Sequence, residues 1–381
     1  MAKKKEPAVS LVSAIEAKSK NAHTQSLDLS FNEILDMKKA GEIDISPDFQ
    51  RLFVWSEGAR SRFIESLLLE MPIPPIYVVE EDDGKYLLID GLQRISSYLH
   101  LRGELEALHL ETPVKKGDRL MLQDCDIVPE LNGKTFEDLG TALQIRLKRS
   151  FVRVEIVRKG SNAHFKYHMF KRLNTGGATL STQQIRNCTI RLLNPKFIDF
   201  IDDLSKEKNF KICVESLTYQ QNLDAFDKEL ILRFFSFKNN RAAFKHDVGD
   251  FMTEYMEYVS DPDGPGMEYD HEKNVFLKTF QILGETLAEY AFGYQNKKKP
   301  TELTRAFGIY HYESLTLGLQ KRLDNIDPKD KKLMASLNTL FKKIKLDRKF
   351  VGITTGGGRN SPGLLKERIK FVEDKIETLF K

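Results

Sequence analysis

The chain has 381 residues, enough for two to three domains at roughly 150 residues each. Its net charge is only +4, from 59 Lys and Arg against 55 Asp and Glu, so it is not an acidic solvating chain and has no general excess of cation for a polyanion. No apolar run approaches the roughly 18 residues that a membrane span needs, and Met1-Ala2-Lys3-Lys4-Lys5 leads into no apolar stretch of a secretory signal. Cys125, Cys188 and Cys213 are widely spaced, with no C-x-x-C pair. Neither a disulfide framework nor a Cys-rich zinc site is expected, and a reducing cytoplasm is the natural compartment.

Residues 1–24 lack periodicity and read as a flexible basic tail. Ser30 then opens a helix whose Phe31, Ile34 and Leu35 fall at helical spacing, with Glu33 placed for a capping box and Gly41 closing it. Ile43-Asp44-Ile45 alternates like a short edge strand. A second helix starts near Ser56 with the stripe Phe63, Ile64, Leu67 and Leu68, and the prolines at 72, 74 and 75 must end it. Ile76–Val79 and Tyr86–Ile89, joined by an acidic turn ending at Gly84, predict a hairpin. Asp90-Gly91-Leu92-Gln93-Arg94 follows directly and opens a helix.

Residues 105–135 are turn-rich and read as an inserted β-like segment. Helix is predicted over 136–150, strand over 151–157 and helix over 162–173. Asn174-Thr175-Gly176-Gly177 interrupts the helix and Ser181, followed by Gln184, restarts one. Beyond Pro195 the pattern is helical almost throughout, with Asp261–Gly266 as the clearest loop. An α/β half followed by an α-helical half is therefore expected.

The turn at 90–94 carries the most chemistry. Its glycine lets backbone N–H groups approach an anion, at a helix N-terminus that favours one. An arginine in that first turn opposes the helix dipole, so a bound phosphate would explain it. The bland alternative is a turn capped by Asp90, with Arg94 in a surface ion pair. Asn174–Gly177, following Lys171 and Arg172, has the composition of a backbone anion nest, or of an ordinary helix–helix turn. Asp48, Gln50 and Arg51 stand beside Phe49, Phe53 and Trp55, which suits either base stacking or a core staple. From Arg146 to Arg172 nine basic residues accompany one acid, Glu155, a segment that attracts phosphate or is simply solvated. A glycine-rich loop, Thr354–Pro362, contains Arg359 and is either a gripping loop or a linker. The histidines form no H-E-x-x-H pattern, and no covalent-catalysis motif is present.

Several ordered blocks resemble one family: Pro47-Asp48-Phe49-Gln50-Arg51, Phe63-Ile64-Glu65-Ser66, Pro72–Tyr77, Ile89–Arg94, and Leu173–Gly177 followed by Leu180-Ser181 and Arg186-Asn187. They look like the N-terminal domain of GmrSD-type, modification-dependent Type IV restriction enzymes, with Leu92 standing where that family's turn usually has glutamine. The resemblance implies an α+β fold, with a ParB/sulfiredoxin-like N-terminal domain over 25–195 and an α-helical C-terminal domain over 196–381. It also implies a nucleoside triphosphate site, NTP hydrolysis, and a role in phage defence through modified DNA. Larger relatives carry an HNH-type nuclease domain; no matching histidine motif is seen here, so a stand-alone member with a separate nuclease or other defence subunit is expected.

On that basis Asp90 and Arg94 are the expected catalytic pair, with Asp90 holding Mg²⁺ or positioning water. Asp48, Gln50, Arg51, Gly91, Gln93, Asn174, Thr175, Gly176 and Gly177 are the expected nucleotide ligands, and Arg149, Arg153, Lys171, Arg172 and Arg359 the expected DNA contacts. Two rival expectations are a metal-dependent nuclease using Asp48 and Asp90, and a non-catalytic nucleotide-gated switch.

Overall fold

A computed structural model describes residues 11, 23–45, 53, 55–108, 110, 112–161, 163–174, 181–191, 193–245, 247–358 and 360–380. The chain divides into two compact units, 1–180 and 181–381.

In the first unit, β1 (Thr24–Ser30) runs directly into α1 (Phe31–Ala40), because the Ser30 hydroxyl accepts from the Glu33 N–H and caps the helix. Gly41, at φ 75°, closes α1 in the left-handed conformation that glycine adopts without strain. β2 (Ile43–Asp44) follows, then α2 (Glu57–Leu68), capped by Ser56 and ending ahead of the proline cluster as expected. The predicted hairpin is present as β3 (Ile76–Glu80) and β4 (Tyr86–Asp90), and α3 (Leu92–Leu101) starts at once after it. α4 (Gly140–Arg149), β5 (Phe151–Val157) and α5 (Ala163–Asn174) complete the unit.

The five strands form one mixed sheet in the order β1-β5-β3-β4-β2. β5 is antiparallel to β1 and parallel to β3, and β4 is antiparallel to β3 and parallel to β2. Val152, Val154 and Ile156 alternate into the core, while Phe151 and Arg153 point outward. The residues Phe31, Ile64, Val78, Leu88, Ile95 and Tyr98 are nearly inaccessible and form the interior.

The stretch 105–135 is not the β-like insert expected. Among its described residues no strand forms; there is an isolated bridge between Ala107 and Val114, and a short 3-10 turn spans Pro129–Leu131. Scattered backbone bonds, such as those joining Leu122 to Gly133 and Lys134, are joined by side-chain acceptors: Asp118 accepts from the Lys115 N–H, Asn132 from Cys125, and the buried Glu65 from both Ile127 and Val128.

The second unit is all-helical, as read from sequence: α6 (Thr182–Arg191), α7 (Pro195–Ser205), α8 (Lys208–Cys213), α9 (Tyr219–Leu223), α10 (Phe226–Asn240), α11 (Val248–Ser260), α12 (Tyr269–Thr286), α13 (Ile309–Gly318), α14 (Lys331–Leu346), α15 (Arg348–Thr354) and α16 (Pro362–Glu377). Phenylalanines dominate its centre: Phe276 and Phe280 lie 4.3 Å apart by ring centroid, and Phe210, Phe234 and Phe235 pack around them. A buried charge network ties three helices together. Glu313 on α13 accepts from Arg233 on α10 at 2.9 Å and from Arg368 on α16. No helix among the described residues is long and apolar enough to cross a membrane.

Candidate functional site

The β4–α3 turn is built around Gly91. Its φ is 111°, and a Cβ placed there would lie 2.7 Å from Ile76 Cγ1, so both backbone angle and packing demand glycine. Gly91 is also the N-cap of α3, which removes Asp90 from the capping role considered above; no side chain caps this helix end. The first-turn N–H groups therefore lack the side-chain acceptor that Ser30 and Ser56 give to α1 and α2. Strand register sets Glu155, Tyr77 and Asp90 in one row across β5, β3 and β4.

Arg94 reaches back over this turn. Its Nη2 donates to Asp90 Oδ2 at 2.9 Å and to the Pro75 carbonyl at 3.0 Å, while its Nε is buried with no hydrogen-bond partner. The Arg94 side chain is only 15% exposed against 40% for Asp90, so the pair forms but its arginine is not at the surface as the bland alternative had it. The ion pair joins i and i+4 of the turn, which leaves the guanidinium beside the uncapped helix end and the carboxylate facing solvent. Leu92 is buried, so the position at which the turn departs from its usual glutamine faces the core.

Gln93 fastens a second segment to the turn, since its Oε1 accepts from the Trp55 N–H at 3.1 Å. The Trp55 carbonyl accepts from Arg60 Nε at 2.8 Å, and Arg60 lies over the Phe53 ring at 4.6 Å. Arg60 Nη1 is 3.1 Å from His100 Nδ1. Burial and then the Arg60 charge pull the His100 pKa down to about 4, so at physiological pH the neutral ring accepts a hydrogen bond from the Arg60 guanidinium. Arg60 and His100 were not singled out from sequence, and Glu65 entered only within a family block; buried polar side chains on amphipathic helices look like the polar face until the packing is seen. Of the three aromatics considered for base stacking, Phe49 lies outside the described residues, Phe53 is 1% exposed and belongs to the core, and Trp55 is half-buried against Phe63.

Residues 31–191 match the family described as the GmrSD restriction endonuclease, N-terminal domain. This segment belongs to that family. No curated protein and no solved structure gives a significant match to the chain. The GmrSD N-terminal segment runs past the boundary of the first unit, and its closing residues Arg186 and Asn187 sit on α6 in the helical unit. There Arg186 is buried and donates to Gln183 Oε1, Thr253 Oγ1 and the Gly249 carbonyl.

The remaining expected residues of the GmrSD segment divide into three groups. Asp48, Gln50, Arg51, Thr175, Gly176 and Gly177 lie outside the described residues, as does Arg359 further on; Asn174 ends α5 and Lys171 lies within it, their side chains likewise outside. The structure therefore brings Asp90, Gly91, Gln93 and Arg94 together. Arg149, Arg153 and Arg172 are exposed. Arg149 and Arg153 line a groove of about 660 Å³ with Arg146, Met71, Ile145 and Phe151. Arg153 is held there by Asp28, Nε to Oδ1 at 3.1 Å, and Arg146 lies 3.6 Å from Glu70. Arg158 is 3.3 Å from Glu80, so acids offset much of the basic run that the sequence displays.

No group of three or more His, Cys, Asp or Glu side chains suited to a metal occurs among the described residues. Asp90 has one oxygen engaged by Arg94 and remains partly exposed. A single carboxylate fits Mg²⁺ only where substrate phosphates and water supply the other ligands.

Proposed function

We propose that the chain is an NTP-binding and NTP-hydrolysing protein of a restriction-like or phage-defence system that engages DNA, with its first unit a ParB/sulfiredoxin-like domain. The observation that carries this reading is the uncapped N-terminus of α3, with Arg94 in its first turn, inside the GmrSD-family segment. A helix N-terminus that no side chain caps, with a guanidinium in its first turn, suits a phosphate oxygen. Gly91 and the backbone of Leu92–Arg94 bind the phosphates, and Gln93 holds Trp55 beside them. Asp90, at the strand end, orients the attacking water, because phosphoryl transfer asks chiefly for positioning and charge stabilisation. Asp90 would be the residue that holds Mg²⁺, which would supply charge neutralisation of the phosphates. Asp48, Gln50, Arg51 and the 174–177 stretch complete the nucleotide site. The setting is cytoplasmic, the DNA target carries modified bases, and cleavage belongs to a partner chain.

Phosphate release from ATP, GTP, CTP and UTP with Mg²⁺, with and without duplex DNA, tests the reading in wild type, Asp90→Asn and Arg94→Lys. Release from one nucleotide that both substitutions abolish, in folded protein, is the expected result. Binding without release would select the nucleotide-gated switch. Plasmid nicking that requires Asp90 but no nucleotide would select the nuclease, and no binding of any NTP would end the site assignment.

A further inference from the structure

A one-sided charge lies outside the family segment, on α14 of the helical unit. Its sequence, KKLMASLNTLFKKIKL, contains five lysines and no acid. Met334, Leu337, Phe341 and Ile344 are buried, as is Lys345, whose ammonium donates to the Tyr290 and Ala291 carbonyls. The other four, Lys331, Lys332, Lys342 and Lys343, are exposed. At 3.6 residues per turn they fall within an arc of about 120°.

Between the two lysine pairs, the same face presents only Ala335, Ser336 and Thr339, all exposed and short. Arg348 and Lys349 are exposed in the first turn of α15, which follows α14 after Asp347. None of these six cations forms an ion pair, whereas Arg146, Arg153 and Arg158 of the first unit all face carboxylates. Exposed and without ion-pair partners, these cations are available to neutralise a polyanion.

We propose that this face of α14, together with Arg348 and Lys349, is a sequence-independent binding surface for the phosphate backbone of duplex nucleic acid. The 16-residue helix is about 24 Å long, and the lysine pairs are about 16 Å apart along its axis. A duplex carries one charge per about 1.7 Å of its axis, so roughly ten phosphates pass between the pairs. The short central residues let the backbone approach closely. A lipid surface fits less well, because membrane-lying basic helices bury large apolar or aromatic groups, and residues 331–349 expose none. The surface goes beyond the nucleotide reading, since it stands on the charge of the helical unit alone.

The test is fluorescence anisotropy of full-length protein with a 30-base-pair duplex of arbitrary sequence, across 50–200 mM salt. The variants are Lys331→Gln/Lys332→Gln/Lys342→Gln/Lys343→Gln and Arg149→Gln/Arg153→Gln, each checked for an unchanged far-UV spectrum. With four phosphate contacts removed, the salt slope of log K should fall by about 3 to 4, and affinity at 100 mM salt by at least about tenfold. The arginine variant should bind as wild type. Equal binding by the lysine variant, loss in the arginine variant instead, or no duplex binding by wild type overturns the proposal. So does lysine-dependent binding to phosphatidylserine vesicles without duplex binding. Nucleotide turnover measured without DNA should be unchanged in the lysine variant, so failure of this surface and failure of the NTP site are read separately.

Discussion

The Arg60–His100 contact makes the first unit acid-sensitive in a window that its carboxylates alone would not set. His100 titrates near its ordinary value of 6.5 in the unfolded chain and at about 4 in the folded one. Between those values the unfolded state binds more protons, so stability rises with pH there. The contribution is fully present above pH 6.5 and is lost as pH falls towards 4. Complete loss amounts to about 3 kcal/mol, of which about 2 kcal/mol is gone at pH 5. Asp118, the one acid facing the ring, opposes the shift, and Arg60 reinforces it. Trp55 is the only tryptophan and its carbonyl is bonded to Arg60, so its fluorescence reports on this unit during urea unfolding. His100→Gln keeps an acceptor for Arg60 but cannot titrate. Comparing the two proteins cancels the carboxylates and the buried His311, which burial also holds well below its ordinary pKa. The two curves of stability against pH should run parallel above pH 7 and diverge by about 2 kcal/mol by pH 5. Parallel curves down to pH 5 would refute the buried, neutral assignment of His100.

Three further outcomes follow from the packing. Gly91→Ala should destabilise the first unit by roughly 2 kcal/mol, because it adds a left-handed penalty to a clash with Ile76, and the Trp55 urea midpoint measures it. Gly84→Ala, at φ 84° with open space around its Cβ, should cost only the backbone part, about 1 kcal/mol, on the same assay. Glu313→Gln removes the charge shared by buried Arg233 and Arg368, and should cost about 3 kcal/mol or more by circular dichroism; a loss below about 1 kcal/mol would mean that the arginines find other partners. A fragment ending at residue 195 should lose α6 helicity in hydrogen exchange, because Arg186 and Ile190 are buried among residues of the helical unit.

Elements whose local chemistry was self-sufficient could be read directly. Ser30 and Gly41 bracket α1, Ser56 starts α2, and the prolines from 72 to 75 separate it from the hairpin, each through a capping or steric effect within a few residues. The 105–135 stretch was misread because its backbone is satisfied from a distance: Glu65, some sixty residues earlier, accepts the N–H groups of Ile127 and Val128. Nothing in the local pattern encodes such a partner. Carboxylate partners within the basic run from 146 to 172 are hidden from the sequence for a related reason. Asp28 and Glu80 belong to other strands, and only the sheet register brings them beside Arg153 and Arg158.

The same distinction separates the residues by which the family was recognised. Gly91 and Arg94 were read as anion-binding groups, yet Gly91 is also required by Ile76, and Arg94 also ties α3 to Pro75. Arg186, from the same set of blocks, is wholly occupied with Gln183, Thr253 and Gly249 in the helical unit. A motif residue can thus be fixed by the scaffold, by a ligand, or by both, and sequence spacing does not separate these. What separates them is a measurement of the ligand: Arg94 keeps a buried Nε with no hydrogen-bond partner, but so does Arg233 of the buried charge network, so such an atom does not by itself assign phosphate to the β4–α3 turn.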